Sequence, residues 1–73
     1  MNPHQAAREL EVALRRRRDV VSCRCVVPRD VPSGIDVEIK LTTMTKQIST
    51  HASRINDLGV QGAIEYWIGP EPE

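Results

Sequence analysis

Val20-Val21-Ser22-Cys23-Arg24-Cys25-Val26-Val27 and Ile35-Asp36-Val37-Glu38-Ile39-Lys40-Leu41 are the two runs that decide the fold. In the first, Val21, Cys23, Cys25 and Val27 alternate with Val20, Ser22, Arg24 and Val26. In the second, Ile35, Val37, Ile39 and Leu41 point one way while Asp36, Glu38, Lys40 and the following Thr42 point the other. A period of two is the signature of strands, so the runs predict an antiparallel hairpin. Residues 28–34 between them hold two prolines and a glycine, too many for a tight turn, and predict an exposed loop. A two-stranded ribbon alone is marginal in water, so the flanking segments must cover its apolar face.

Upstream, Asn2 is placed to cap a helix with Pro3 in its first turn, where a missing N–H has no consequence. Ala6, Ala7, Leu10, Ala13 and Leu14 then fall at helical spacing, with Arg8, Glu9, Glu11, Arg15 and Arg16 on the other side. Glu11 precedes Arg15 by four residues, the favourable order for an ion pair, and the arginines suit the helix C-terminus near Arg17 or Arg18. Downstream, Met44, Ile48, Ala52, Ile55 and Leu58 step by three or four, with Thr45 to cap and Gly59 to terminate, which predicts a helix over 45–58. The threonines and serines of that segment pull toward extended structure. After Gly59, Ile64, Tyr66 and Ile68 alternate with Ala63, Glu65 and Trp67, which predicts a third strand, with Gly62 marking a bulge. The expectation is a small α+β domain, order α-β-β-α-β, over residues 1–68, followed by a flexible acidic tail at 69–73.

The chain has 73 residues, no Phe, and Tyr66 and Trp67 as its only aromatics, so the core must be aliphatic. A chain this short buries only about 60% of its unfolded surface, and its stability is modest. Ten basic and ten acidic residues cancel, which argues against a protein that coats nucleic acid or an anionic membrane. The distribution is uneven, with residues 1–30 at net +3 and residues 31–73 at net −3. Such two-sided charge suits docking on a patterned protein surface. No apolar run approaches the roughly 20 residues of a membrane span, and Met1 is followed by polar residues rather than a signal peptide. A cytosolic monomer is expected.

Cys23 and Cys25 share one face of a strand, where disulfide geometry is hard to meet, and a zinc site would need two further ligands. His4 and His51 are not spaced to supply them, and the thiols read as small apolar side chains. No Ser or Cys has an evident His partner and no phosphate loop occurs, so neither an enzyme nor a cofactor is expected. The candidate partner-binding residues are therefore on the surface. Arg15, Arg16, Arg17 and Arg18 are the densest charge in the chain, although four consecutive arginines point around most of a helical turn and only one or two would meet a flat partner. If Ile64, Tyr66 and Ile68 face the core, Trp67 falls beside Glu65 on the outer face of the third strand, with Val20 and Val26 extending a patch of the kind that interface hot spots use. The competing expectation is that the ring packs under the first helix or the acidic tail. Separately, Ser49-Thr50-His51-Ala52-Ser53-Arg54-Ile55-Asn56-Asp57-Leu58-Gly59-Val60 followed by a strand resembles the recognition helix and wing of a winged-helix domain over about 20 residues, with Arg54 and His51 able to read base edges. The two helices that should precede it are missing.

Across its length, from Met1-Asn2-Pro3-His4-Gln5-Ala6-Ala7-Arg8-Glu9-Leu10 through the tetra-arginine to Tyr66-Trp67 and the Pro-Glu tail, the chain resembles the small bacteriophage transcription regulators that act on bacterial RNA polymerase. The resemblance implies a stoichiometric, non-catalytic regulator in the cytoplasm of an infected host. It would bind the polymerase near the beta-prime N-terminal region and the beta flap, weaken specificity-factor contacts, inhibit initiation and permit terminator read-through. The alternatives are a small winged-helix-like DNA-binding repressor and an inhibitor of another host protein.

Overall fold

The computed structural model describes residues 1–72. It is an α+β fold of six elements: α1 (Pro3–Arg15), β1 (Val20–Val26), β2 (Gly34–Leu41), β3 (Thr45–His51), α2 (Ala52–Leu58) and α3 (Val60–Ile68). Helix α1 begins as its sequence dictates. Asn2 Oδ1 accepts the Gln5 N–H at 2.8 Å, with Pro3 in the first turn, and Ala6, Ala7, Leu10 and Leu14 are buried.

The three strands form one antiparallel sheet in the order β1-β2-β3. Cys23 lies opposite Ile39 and Cys25 opposite Val37. On the other side of β2, Ile48 lies opposite Val37 and Thr50 opposite Ile35. Residues opposite one another across a ladder share a face, so these side chains point together toward the helices. The reverse face carries Arg24, Glu38 and Gln47 in one row and Val26, Asp36 and Ser49 in the next. The register shifts between Val20 and Ser22. This bulge turns Val20 onto the packed side and leaves Val21 60% exposed, reversing the strict alternation expected there. Val26 stays on the open face as expected.

The element order is corrected in the second half of the chain. Residues 45–58 are not one helix, because residues 45–51 form the third strand and only Ala52–Leu58 is helical. The helical spacing was coincidental. Ile48 reaches the core from a strand and Ala52 and Ile55 reach it from a helix, while Met44 and Leu58 are exposed. The extended preference of Thr45, Ile48 and Thr50 prevails because β2 needs a second neighbour for its unpaired edge. The third strand expected after Gly59 is instead helix α3. Its buried positions Ala63, Ile64 and Trp67, with half-buried Val60, follow the helical period. Gly59 separates the two helices at φ 76° and ψ 159°, a conformation essentially restricted to glycine.

The core is aliphatic, as the composition requires. Leu10 and Leu14 of α1, Ile35 and Ile39 of β2, Ile55 of α2 and Ile64 of α3 are fully buried, with Trp67 closing one end. Lys46, on the packed side of β3, donates to the Trp67 carbonyl at 2.6 Å, a cation at the last turn of α3. The tail expected to be flexible is tied at two described points: the Gly69 carbonyl accepts from Arg17 and the Glu71 carboxylate accepts the Arg18 backbone N–H. Glu73 lies outside the described residues.

Candidate protein-docking surface

The tetra-arginine does not act as a unit. Helix α1 ends at Arg15 and the chain turns through residues 16–18 toward β1, so the four side chains meet different surroundings. Arg17 turns inward and is only 5% exposed. Its Nε and Nη2 donate to the two Asp19 carboxylate oxygens, both at 2.9 Å, and its Nη1 donates to the Gly69 carbonyl at 2.8 Å. The hydrogen bonds from Arg17 hold the Asp19 carboxyl below the usual carboxylate range, and those to Asp19 raise the guanidinium. This fork geometry is a structural clasp, so Arg17 leaves the set of candidate contact residues. Arg15 is exposed and pairs with Glu11 at 3.3 Å, as their spacing predicts. Arg16 and Arg18 present their side chains to solvent.

Trp67 and Glu65 are not on one face. Trp67 is 9% exposed and belongs to the core, whereas Glu65 is exposed and accepts from Gln61 Nε2 at 3.0 Å, one helical turn away. A strand would send the indole to the surface, because it places neighbours on opposite sides. In the helix, Trp67 follows Ala63 and Ile64 inward, and Tyr66 becomes the exposed aromatic at 70%, with Arg54 stacked 5.5 Å from its ring centre. An arginine and tryptophan patch is therefore not assembled.

The winged-helix likeness does not hold either. Ser49, Thr50 and His51 belong to β3, α2 has seven residues, and a helix rather than a wing strand follows. The thiols are unpaired and half-buried. Burial first, and then the neighbouring Cys23 and Glu11, push Cys25 up to about 12; burial also raises Cys23. Both are therefore neutral near pH 7 and poor nucleophiles. Among the described residues no group of three His, Cys, Asp or Glu side chains is placed to hold a metal ion, and no helix is long and apolar enough to cross a membrane.

Among the described residues, two depressions of the surface bear on docking. One, of about 500 Å³, lies on the open face of the sheet. Four of its polar side chains are paired across the strands, Gln47 donating to Glu38 at 3.3 Å and Ser49 to Asp36 at 3.1 Å, while Arg24 stands exposed at its edge. The other, of about 320 Å³, lies between α1 and the start of α3 and is lined by Arg8, Glu9, Val12, Ala13, Arg16 and Val60. Val12 is 45% exposed, and neither Arg8 nor Arg16 has an ion-pair partner among the described residues. The signal for this groove was in the sequence, since residues 8, 12 and 16 repeat every four positions and make one stripe. Val12 itself belongs to neither the buried nor the charged set of α1, so its own residue type carries no signal.

Comparison with protein-family models, curated proteins and solved structures finds no match to this chain.

Proposed function

We propose that this chain is a phage-encoded, non-catalytic regulator that docks on the RNA polymerase of a bacterial host, at the beta-prime N-terminal region and the beta flap. There it weakens specificity-factor contacts, inhibits promoter-dependent initiation and promotes terminator read-through. The partner is suggested by the whole-length resemblance to small phage regulators. The observation on the molecule that supports docking is the outer side of α1 and the turn after it, where Arg8, Arg15, Arg16 and Arg18 stay exposed and Val12 is half-exposed. Arginine and an accessible apolar side chain are what a protein interface uses. A typical interface covers about 800 Å² on each partner, about a sixth of the 4883 Å² this small molecule exposes. A module of this size can therefore regulate a far larger machine by occupying a surface that another factor needs.

The test is retention of purified core polymerase on the immobilised protein, run beside gel shifts on promoter DNA and transcription with and without the specificity factor. Polymerase retention, fewer promoter-dependent transcripts and longer products past a terminator are the expected results. Sequence-selective DNA binding without polymerase retention would replace this reading with that of a repressor.

A further inference from the structure

We infer that the groove between α1 and α3 receives an acidic segment of the polymerase, with two carboxylates on Arg8 and Arg16 and one apolar side chain between them on Val12 and Val60. This rests on the polymerase reading and adds the site and the chemistry of what fills it.

Three observations converge on this groove. The first is charge. Arg15 is engaged by Glu11 and Arg17 by Asp19, whereas Arg8 and Arg16 have no acidic partner among the described residues. Both stand on the rim of the same depression. The second is the floor. Val12, Ala13 and Val60 make it apolar, and Val12, in the C-terminal half of α1, is nearly half exposed. An aliphatic side chain left in water between two cations gains by being covered. The third is spacing. Residues four apart on a helix are separated by about 6 Å along its axis, so Arg8, Val12 and Arg16 form a line of cation, apolar group and cation in steps of about 6 Å. In an extended segment, side chains on one face recur every second residue, about 6.6 Å apart. An acidic, apolar, acidic pattern at alternate positions of an extended strand therefore matches the groove step for step.

The same features disfavour a nucleic-acid backbone. Its phosphates form an unbroken run of negative charge, and here Val12 interrupts the cations. The groove is also open along its length, which suits a side chain presented by a macromolecule more than an enclosed small ligand.

The experiment measures the affinity of purified core polymerase for the wild-type protein and for three variants at fixed ionic strength. Arg8→Ala combined with Arg16→Ala removes both cations while favouring the helix. Val12→Glu places a charge at an exposed position, and Arg29→Ala removes one cation from the exposed loop before β2. Circular dichroism and thermal unfolding confirm that each variant is folded. The inference expects a loss of roughly tenfold or more for the double alanine variant and for Val12→Glu, and wild-type affinity for Arg29→Ala. Wild-type affinity in both groove variants, with polymerase still bound, would overturn the groove and leave the polymerase reading standing. An equal loss in Arg29→Ala would reduce the effect to overall charge and overturn it as well. Absence of polymerase binding by the wild-type protein would remove the polymerase reading and this inference with it, and tighter binding to DNA than to polymerase would do the same.

Discussion

Arg17 fastens the end of α1 to the end of α3. Three of its N–H groups are used within the fold, two on Asp19 and one on the Gly69 carbonyl. Removing one partner of a nearly buried pair leaves the other uncompensated, which is worse than never having had the pair. Because Asp19 retains some access to water, Arg17→Ala is expected to lower stability by about 2–3 kcal/mol in urea unfolding. The pH dependence has a definite sign. The folded-state pKa of Asp19 is depressed, so its contribution is complete above the unfolded value of about 3.9 and is lost as the pH falls through the folded value. Acid unfolding followed by circular dichroism should therefore be less steep below about pH 4 in Arg17→Ala than in the wild type. Trp67, 9% exposed, is expected to behave as a core residue. Trp67→Ala should lower stability by about 3 kcal/mol or more, and unchanged stability with weakened polymerase binding would return the ring to the surface.

Among the elements, α2 and α3 are joined by the most constrained residue. Gly59 has φ 76° and ψ 159°, yet a methyl group there would meet nothing within 4 Å. Any loss in Gly59→Ala therefore reports backbone conformation alone, and about 1–3 kcal/mol is expected. Gly62 is the control. It lies inside α3, where an added methyl would make ordinary contact with Leu58 at 3.7 Å, so Gly62→Ala should stabilise by about 0.5–1 kcal/mol. Opposite signs in the two thermal melts would establish that Gly59 is a break between helices, and matching signs would not. Legibility followed the same lines. Helix α1 and strand β2 were readable because each has a strong period and local signals of its own. The segment over 45–58 was not, because Ile48, Ala52 and Ile55 satisfy a helical spacing while reaching the core from two different elements.

At the scale of the whole molecule, net charge is zero while the N-terminal 30 residues are positive and the remainder negative. The fold keeps part of that asymmetry at the surface, with Arg8, Arg15, Arg16 and Arg18 exposed on or beside α1. Complementary exposed charge accelerates encounter more than it strengthens the final complex. Stopped-flow association with polymerase should therefore slow as salt rises from about 50 to 200 mM, with a much smaller change in dissociation. Salt acting mainly on dissociation would place the cations in a desolvated contact.

By itself the sequence determined the period-two pairing of β1 with β2, the cap and apolar stripe of α1, the aliphatic core and the two-sided charge. Each depends on neighbours in the chain or on composition. Only the tertiary structure decided that residues 45–51 extend the sheet, that residues 60–68 coil, that Trp67 turns inward and that Arg17 is consumed by Asp19 and Gly69. In each case two local patterns fit equally well over a few residues, and the choice fell to partners distant in sequence: the open edge of β2, the packed face of α1 and a carbonyl 52 positions away.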